Sequence, residues 1–280
     1  MEKITNFFII TNISRDRDLS VTESTSRFLI DNGCTVTSAR AGAMGDGPFL
    51  PTDKVPSDAQ CIITIGGDGT LIASALDSAD LNLPIIGINK GTLGYLTGTE
   101  TSDIEDTLRK VMTGDYTVEE RMMLCGMVYD SENRLKVEKR ALNDIVLKNT
   151  ILKVSDYDLS VNSKYLSGFK ADGMIVCTPT GSTAYSMSAG GPIIEPMARM
   201  MVITPICPHT LNTRSIVISA DANVVIEVRD DSSAVLFDGR FNCSLSAGDR
   251  VTVRSSSKVT RIIKTAEDSF LSVLGKKFRS

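Results

Sequence analysis

The hydrophobic pattern of the chain changes near residue 116, and this change constrains the fold more than any other feature. Before it, nearly continuous apolar runs such as ITNFFIITN (4–12) and CIITI (61–65) alternate with stretches of helical period. After it, apolar and polar residues alternate, as in 157–161 and 224–228. Runs that are apolar on both faces are typical of parallel strands covered by helices, whereas alternation is typical of antiparallel sheets. The sequence therefore predicts an α/β part followed by a β part.

Domain boundaries are predicted from the same change of pattern. Residues 1–115 are expected to form an α/β domain with a parallel sheet, and 116–256 an antiparallel β-sandwich-like domain. Residues 257–280 are expected to form a tail that packs back on the first domain and ends in a short helix, EDSFLSVLGKKF. A chain of 280 residues is long enough for two such domains.

Capping residues and glycine stops predict further local elements. In chain order these are a helix within 15–32 ending at Gly33, a strand CTVTSA (34–39), a helix from Thr70 to Ala79, a strand PIIGIN (84–89), and a helix that starts at a capping box of Ser102 and Glu105 and ends at Gly114. Residues 41–58 are rich in glycine and proline and are expected to form a mobile surface loop.

Composition argues against several classes of function. The net charge is −4 at pH 7, and a broad nucleic-acid or anionic-membrane surface would need clustered lysine and arginine. No apolar run approaches the length of a transmembrane helix, and the start of the chain lacks a signal-peptide cleavage pattern. Six cysteines without a CxxC pair are expected to be buried, reduced thiols of a cytoplasmic protein.

The chain contains a single histidine, His209, which argues against a Ser-His-Asp hydrolase or a histidine-rich metal site. We expect His209 to be a buried, hydrogen-bonded structural imidazole. Carboxylates are then the groups expected to carry any acid–base chemistry.

Residues 61–70, CIITIGGDGT, place a turn with few side chains directly after a buried strand. Glycines let backbone amides approach a phosphate closely, and the N-terminus of the next helix adds a favourable partial charge. Asp68 is the only carboxylate of the turn and is expected to be free for chemistry. The alternative is a tight turn that simply requires glycine.

The stretch GINKGTLGYLT (87–97) follows the next strand and adds polar residues at the same sheet edge. Ligands bind at that edge in α/β sheets, so the two glycine-rich turns are expected to face one crevice. A glycine loop that packs Leu93, Tyr95 and Leu96 inward is the alternative. The residues predicted to bind phosphate and ATP are Gly66, Gly67, Gly69, Thr70, Asn89 and Lys90.

Two later stretches suggest a binding site for a flat polar ligand. In ALNDIVL (141–147) the Asn-Asp pair would be costly to bury without partners. Asn143 could contact a base edge and Asp144 the ribose hydroxyls, because a carboxylate can accept from both. A bulge or turn whose side chains bond their own backbone is the alternative.

The second of these stretches is FKADGMIVCTPTGSTAYSMSAGGPII (169–194), in which a strand leads into hydroxyl, glycine and alanine residues around one tyrosine. Small side chains let a flat ligand lie against the backbone and form several hydrogen bonds with it. An ordinary Ser/Thr/Gly loop is the alternative. FDGR (237–240) is a further Asp-Gly turn that indicates little by itself.

In combination these stretches resemble the bacterial NAD kinases over essentially the whole chain. The likeness is carried by GGDGT (66–70), GINKGTLGYL (87–96), LND (142–144), DGMIVCTPTGSTAYSMSAGGPI (172–193) and PHTL (208–211). GGDGT alone is shared with diacylglycerol and sphingosine kinases and, in close variants, with phosphofructokinases. The resemblance implies a diacylglycerol kinase/phosphofructokinase-like α/β domain, a C-terminal β domain and an active site between them.

The resemblance also implies the reaction, which moves the γ-phosphoryl of ATP or another donor to the 2′-hydroxyl of the adenosine ribose of NAD. Asp68 matches the aspartate taken as the proton acceptor. Magnesium is expected to arrive with ATP, without ligands from the protein. The expected partners are NAD, ATP and further copies of the chain in a homodimer or homotetramer, in which a neighbouring subunit completes the site.

The family's dinucleotide contacts map onto a defined set of residues in this sequence. These are Asp68, Gly69, Asn143, Asp144, Lys170, Asp172, Thr180, Thr183, Ala184, Tyr185, Ser186, Met187, Ser188, Cys207 and Arg240. Two of them depart from the family's usual pattern: Lys170 stands where Arg is frequent, and Arg240 where Gln is frequent. The rival functions are a lipid kinase of the diacylglycerol type and a non-catalytic NAD-sensing module.

Overall fold

A computed structural model describes residues 1–41, 49–50, 52–91, 94–151, 153–209, 214–265 and 270–279. The chain divides into two units. Unit 1 comprises Met1–Glu120 and Val259–Ser280, and unit 2 comprises Arg121–Lys258. Each unit has its own sheet arrangement and its own hydrophobic core.

Unit 1 is built from parallel strands and helices that follow one another along the chain. Its elements are β1 (Asn6–Thr11), α1 (Ser20–Asp31), β2 (Thr35–Arg40), β3 (Cys61–Gly66), α2 (Asp68–Asp77), β4 (Ile85–Asn89), β5 (Thr99–Glu100) and α3 (Ile104–Thr113). The strand order is β4-β3-β1-β2, with β5 parallel to β4. The α/β prediction for this part of the chain is confirmed.

The apolar runs of unit 1 form its central strands. All six residues of β3 are buried, as are the last five of β1, whereas the edge strand β2 is mostly exposed. On one face of the sheet, Phe7, Ile9 and Ile63 share a core cluster with Leu29 of α1 and Leu108 of α3. Burial on both faces is what the nearly continuous apolar runs predicted.

A side-chain hydrogen bond marks the start of α1, and glycines mark the ends of α1 and α3. α1 starts at Ser20, five residues after the predicted region begins, and Asp16 Oδ2 accepts from the backbone N–H of Thr22 at 2.9 Å. Gly33 lies just beyond the end of α1 with φ +80°, as predicted for a C-terminal stop. Gly114, with φ +85°, caps α3 in the same way.

The predicted capping box at the start of α3 is wrong. Asp103 is the N-cap residue and makes no capping side-chain hydrogen bond, while Ser102 Oγ donates to Asp103 Oδ1 at 3.1 Å. A short 3₁₀ turn over Thr101–Asp103 precedes the helix, so Ser102 already lies inside a helical turn and cannot act as its N-cap.

Part of the predicted mobile loop at 41–58 lies outside the described residues, namely 42–48 and 51. The prediction of a surface loop is wrong for Phe49 and Leu50, whose side chains are buried. The backbone N–H of Leu50 donates to Asp77 Oδ2 at 2.7 Å and ties this segment to the end of α2. Two large apolar side chains in the stretch are the reason, because exposing them would cost free energy.

Unit 2 is formed mainly by antiparallel strands. Its elements are β6 (Thr117–Tyr129, beginning in unit 1), β7 (Leu135–Ala141), β8 (Asp144–Asn149), β9 (Ser155–Val161), β10 (Lys164–Ala171), β11 (Gly173–Cys177), α4 (Tyr185–Ser188), β12 (Met200–Ile206), β13 (Ile216–Ser219), β14 (Val224–Val228), β15 (Ser233–Phe237), β16 (Arg240–Leu245) and β17 (Arg250–Lys264). One sheet has the order β13-β12-β11-β8-β15-β16, and in a second arrangement β10, β9, β14 and the start of β17 are neighbours.

The core of unit 2 receives side chains from both sets of strands. Leu147 and Val176 of the first sheet share a cluster with Leu159, Ile226 and Val251 of the second arrangement. The predicted alternation in β9 and β14 is confirmed, since buried and less buried positions follow one another along both strands. The antiparallel character predicted for this part of the chain is therefore confirmed.

The last elements return the chain to unit 1. β17 is antiparallel to β14 near its start and parallel to β4 at Ile262, so the sheet that contains it is mixed rather than purely parallel. A C-terminal helix, α5, spans Phe270–Arg279, and Lys277 Nζ lies 5.1 Å from the centre of the Tyr95 ring. Among the described residues, no helix has both the length and the apolar character needed to cross a membrane.

Candidate functional site

The GGDGT turn lies between β3 and α2 and exposes backbone donors. Gly67 is the N-cap of α2 and Asp68 its first residue. The first N–H groups of a helix have no intrahelical partner, and no hydrogen bond from the amides of Gly67, Asp68 or Gly69 occurs within the described part of the chain. A Cβ on Gly66 would overlap Thr70 Oγ1, so the turn needs glycine there to close. These amides, at a helix N-terminus, are suited to bind phosphate oxygens.

The Asp68 carboxylate is not free, contrary to the sequence-based expectation. It accepts four hydrogen bonds: three from the backbone N–H groups of Tyr95 (2.7 Å), Leu96 (3.2 Å) and Thr97 (3.0 Å), and one from Thr97 Oγ1 (2.8 Å). The donors lie in the second glycine-rich stretch, after β4. The carboxylate is half-buried and its orientation is fixed by these contacts.

Asn89 is the last residue of β4 and Lys90 follows it, beside the GGDGT turn. The backbone N–H of Lys90 donates to the carbonyl of Gly66 at 2.8 Å, but its ammonium is paired with the fully buried carboxylate of Asp16 at 2.6 Å. The hydrogen bond to Asp16 is the main reason that the pKa of Lys90 is raised. Lys90 is thus engaged within unit 1, whereas the buried Oδ1 of Asn89 has no partner among the described residues.

Thr70 supports the turn from inside unit 1. Its side chain is buried, and its Oγ1 accepts from Asn12 Nδ2 at 3.0 Å. Asn12 directly follows β1, so this contact links the carboxyl end of β1 to the first turn of α2. Gly69, by contrast, is exposed on the first turn of α2.

In unit 2, Asp238 binds the backbone of the LND turn (142–144), a role that the sequence did not predict. Its Oδ1 accepts from the backbone N–H groups of Asn143 (2.7 Å) and Asp144 (3.0 Å), and its Oδ2 from that of Leu142 (2.7 Å). Asp238 and Gly239 form the two-residue turn between β15 and β16, both with positive φ. The Asp-Gly hairpin was visible in the sequence, but its contact with residues 142–144 was not.

The LND turn also lies close to residues 178–188, here called the TPTGSTAY segment. The backbone carbonyl of Asn143 accepts from Thr178 N–H at 2.8 Å, and Thr178 Oγ1 donates to Leu142 O at 2.6 Å. A Cβ on Gly181 would overlap the backbone of Asn143. The glycine in TPTGSTAY is therefore required by this close approach. The side-chain amide of Asn143 makes no hydrogen bond within the described ranges and is available to a ligand.

Asp144 and Asp238 form an electrostatically strained pair. Burial, and then the neighbouring charge of Asp238, raise the pKa of Asp144 to about 7. Burial also raises the pKa of Asp238 to about 6, against the lowering effect of its three backbone hydrogen bonds. Two carboxylates that share a poorly solvated place are costly to ionise together. A ligand that donates hydrogen bonds to Asp144 would favour its ionised form.

A cavity of about 320 Å³ opens beside this pair. Asn143, Asp144, Ala184, Tyr185 and Lys148 contribute to its lining. Lys148 Nζ lies 5.5 Å from the centre of the Tyr185 ring, a cation–π distance. An aromatic ring, an amide and a carboxylate around one cavity suit a flat, hydroxylated ligand.

The remaining residues of the TPTGSTAY segment divide into buried and exposed groups. Thr183 Oγ1 donates to the carbonyl of Thr180 at 3.2 Å, and Ser186 Oγ lies 3.2 Å from Thr204 Oγ1. Thr180 Oγ1 is buried without a partner in the described part of the chain. Met187 and Ser188 are exposed on α4. The segment thus places only some of its predicted contacts at the cavity.

Three predicted contacts lie around the start of β11 and the end of β12. Lys170 is exposed, with Nζ 3.7 Å from Asp156 Oδ1, and Asp172 is half-buried. Cys207 is exposed and has a φ of +43°. None of the three lines the cavity beside Asp144.

Arg240 follows the Asp-Gly turn, and its charge lowers the pKa of Asp238, although burial of that carboxyl outweighs it. Its Nη2 is buried without a hydrogen-bond partner among the described residues.

The prediction that His209 is a buried structural imidazole is wrong. Its side chain is exposed rather than buried, although its backbone N–H donates to Lys170 O at 2.8 Å. The neighbouring positions 210–213 lie outside the described residues, and with them the end of PHTL.

The cysteine prediction holds for four of the six thiols: Cys34, Cys61, Cys125 and Cys177 are buried, Cys243 is half-buried and Cys207 exposed.

Within the described ranges, no group of three or more His, Cys, Asp or Glu side chains is placed to hold a metal ion. Asp68, whose carboxylate accepts four hydrogen bonds, belongs to no such group.

Two family models match the chain, one for each part. The ATP-NAD kinase N-terminal domain matches residues 51–116, and the ATP-NAD kinase C-terminal domain matches residues 142–265. Among relatives, the NAD kinase of Lachnospira eligens is 41% identical over 95% of this chain and 97% of its own. The NAD kinase of Lachnoclostridium phytofermentans is 35% identical over 97% and 98%.

Solved structures share the fold. A yeast NADH kinase complexed with NADH has a TM-score of 0.84 at 21% identity, over 100% of this chain and 89% of its own. An NAD kinase from Archaeoglobus fulgidus in complex with ATP has a TM-score of 0.76 at 24% identity, over 97% and 98%. Together with the two family models and the full-length bacterial relatives, these matches confirm the resemblance read from the motifs. The chain belongs to the NAD kinase family.

Proposed function

We propose that this protein is a NAD kinase, which transfers the γ-phosphoryl of ATP to the 2′-hydroxyl of the adenosine ribose of NAD and so makes NADP. The observation that carries the proposal is the oriented carboxylate of Asp68 beside amides of the GGDGT turn that have no partner among the described residues, in a chain of this family. Phosphoryl transfer needs mainly alignment and charge stabilisation, and both are available from this turn.

The phosphates of the donor are assigned to the GGDGT turn and the end of β4. The amides of Gly67, Asp68 and Gly69 would bind phosphate oxygens, helped by the N-terminus of α2. Asn89 is a further candidate because its buried Oδ1 has no partner in the described part of the chain. Lys90 would have to leave Asp16 to reach a phosphate. Magnesium bound to the triphosphate would offset the charge of its oxygens.

The dinucleotide is assigned to the LND turn and the TPTGSTAY segment. Asp144 would accept hydrogen bonds from ribose hydroxyls, the Asn143 amide would contact the base, and Tyr185 would provide a stacking surface. Contacts from Lys170, Asp172, Met187, Ser188, Cys207 and Arg240 are also proposed. We further propose that a second subunit contributes some of these contacts in a homodimer or homotetramer.

The first test replaces Asp68 by asparagine. We expect Asp68→Asn to lower kcat by a factor of about 10² to 10⁴, the usual contribution of a general base. Binding of NAD, measured by calorimetry, should change much less. Asp58→Asn, an exposed carboxylate of the same unit, is the matched control and should behave as the unmodified protein does. An Asp68→Asn variant with unchanged turnover would refute the assigned role.

One assay separates the proposed function from its rivals. Purified protein, ATP, magnesium and NAD are incubated, and NADP is detected with an NADP-specific dehydrogenase. A lipid kinase or a non-catalytic NAD-sensing module would form no NADP. Repeating the assay with polyphosphate and with NADH in place of ATP and NAD defines the donor and acceptor range.

Two further assignments, of location and of fold relationship, are also proposed. A cytoplasmic location would agree with six free cysteines, one of them exposed, because oxidising compartments favour disulfides. A relation of the α/β unit to diacylglycerol kinases and phosphofructokinases is proposed on the GGDGT turn alone.

A further inference from the structure

The two oxygens of the Asp68 carboxylate have different surroundings. Oδ1 accepts three hydrogen bonds, from Leu96 N–H (3.2 Å), Thr97 N–H (3.0 Å) and Thr97 Oγ1 (2.8 Å). Oδ2 accepts one, from Tyr95 N–H at 2.7 Å. Each carboxylate oxygen has about two lone pairs. Oδ1 is therefore saturated, whereas Oδ2 retains one acceptor direction.

We propose that Oδ2 of Asp68 receives the proton of the NAD 2′-hydroxyl and that Thr97 is the positioning residue that makes Oδ2, and not Oδ1, available. This inference rests on the function proposed above. Thr97 acts through Asp68 rather than on the substrate. Its buried side chain supplies the shortest of the three contacts to Oδ1.

The step balances without a further reactant. The 2′-oxygen forms a bond to the γ-phosphorus, and the bond from that phosphorus to the bridging oxygen of the triphosphate breaks, so that the diphosphate leaves with the electron pair. The hydroxyl proton passes to Oδ2. Holding the carboxylate in one rotamer aligns Oδ2 before the reaction begins, which is where positioning contributes to rate.

Two glycines leave the space that Asp68 and Thr97 occupy in this arrangement. A Cβ on Gly94 would overlap the Asp68 carboxylate, and a Cβ on Gly87 would come within 2.8 Å of Thr97 Cγ2. Neither glycine has a positive φ, so each is required by contact with Asp68 or Thr97 and not by its backbone conformation. Gly87 and Gly94 therefore have a reason that the phosphate-binding interpretation did not supply.

The test compares two substitutions at position 97. Thr97→Val keeps the branched shape and the backbone N–H but removes the hydroxyl donor, and Thr97→Ser keeps the donor but removes the methyl group. We expect Thr97→Val to lower kcat about tenfold, the effect of losing one hydrogen bond to a charged group. The KM for NAD should stay within about twofold, because ground-state binding is not affected. Thr97→Ser should retain most of the turnover.

The pattern across the two variants distinguishes positioning from a structural role. Equal losses in both variants, or a Thr97→Val enzyme with unchanged kcat, would overturn the inference. If Thr97→Val does not fold, Gly94→Ala provides the second test, since its Cβ displaces the carboxylate while its backbone conformation is open to alanine. Gly94→Ala should lose at least as much turnover as expected for Thr97→Val and still bind NAD in calorimetry; full activity would overturn the inference.

The failure of this inference is distinguishable from failure of the proposed function. If the unmodified protein forms no NADP, the function itself is wrong. If it forms NADP and the Thr97 and Gly94 variants are fully active, only the assignment of Oδ2 and Thr97 is wrong.

Discussion

Asp238 illustrates how one side chain can fix the geometry of a site in this protein. Its carboxylate accepts hydrogen bonds from the backbone N–H groups of three consecutive residues, 142–144. These bonds fix the backbone from which the side chains of Asn143 and Asp144 project. The cost is that burial, and then the nearby charge of Asp238, raises the pKa of Asp144. Burying both near the cavity makes the ionisation of Asp144 depend on what occupies that cavity.

The first residue-scale prediction concerns pH. The pKa of Asp144 is raised to about 7, mainly by burial, and only its ionised form accepts hydrogen bonds through both oxygens. The ionised fraction falls about tenfold between pH 8 and pH 6 for such a group. We expect the KM for NAD to rise by up to about tenfold over that interval, measured by initial rates at saturating ATP.

Asp144→Asn is the control for the pH prediction. Asparagine stays neutral, so its KM for NAD should be higher than that of the unmodified protein at pH 8 and should vary little down to pH 6. A variant that kept the full pH dependence would assign it to another group.

The same substitution has an effect on stability with a defined sign. The pKa of Asp144 in the folded protein lies above its usual value of 3.8. Its favourable contribution to the free energy of unfolding is therefore present below about pH 4 and is lost as the pH rises through 7. Because asparagine does not ionise, we expect Asp144→Asn to abolish this loss of stability at higher pH.

At the residue scale, the sequence predicted the identity of Asp68 but not its surroundings. GGDGT after an apolar strand was enough to select this carboxylate. The four donors that occupy it come from positions 95–97, between 27 and 29 residues away. Contacts at that separation depend on the relative placement of β3 and β4, which no local pattern encodes.

At the scale of elements, period and glycine stops predicted four of the five described helices, but fewer than half of the described strands. β3 spans Cys61–Gly66 where the apolar run stands, and α2 spans Asp68–Asp77, two residues before the predicted range at each end. The capping box at Ser102 failed because a 3₁₀ turn precedes α3. The Asp-Gly turn between β15 and β16 was recognised as a turn, but the element it contacts was not.

The element-scale prediction tests the contact between the LND turn and the TPTGSTAY segment. A Cβ on Gly181 overlaps the backbone of Asn143, so Gly181→Ala must displace one of the two segments. We expect it to lower the free energy of unfolding by about 1–3 kcal/mol and to raise the KM for NAD. Both quantities follow from denaturant unfolding and initial rates.

Gly275→Ala is the matched control for Gly181→Ala. A Cβ at position 275 of α5 would have no heavy atom of the described residues within 4 Å, and alanine favours helix by about 0.5–1 kcal/mol over glycine. This variant should be as stable as the unmodified protein or slightly more so. If Gly181→Ala behaved in the same way, the close approach to Asn143 would not constrain the site.

On the scale of the whole molecule, stability resides in separate cores within the two units. Leu159 of β9 is fully buried in the core of unit 2, whereas Leu135 at the start of β7 is 52% exposed. We expect Leu159→Ala to lower the free energy of unfolding by about 2–5 kcal/mol, because it leaves a cavity. Leu135→Ala should change it by less than about 0.5 kcal/mol. Urea unfolding measures both, and similar losses would contradict the assignment of the core.

The sequence by itself determined the α/β character of the first part, the antiparallel character of the second, and the motifs that identify the family. Each of these depends on residue order over short distances: apolar runs, alternation, glycines after strands. Tertiary structure alone decided that Asp68 is occupied by the 95–97 backbone, that Lys90 is paired with Asp16, and that Asp238 holds the LND turn. The physical reason is that a polar group without nearby water must find a partner, and the partner is chosen by which strands end side by side.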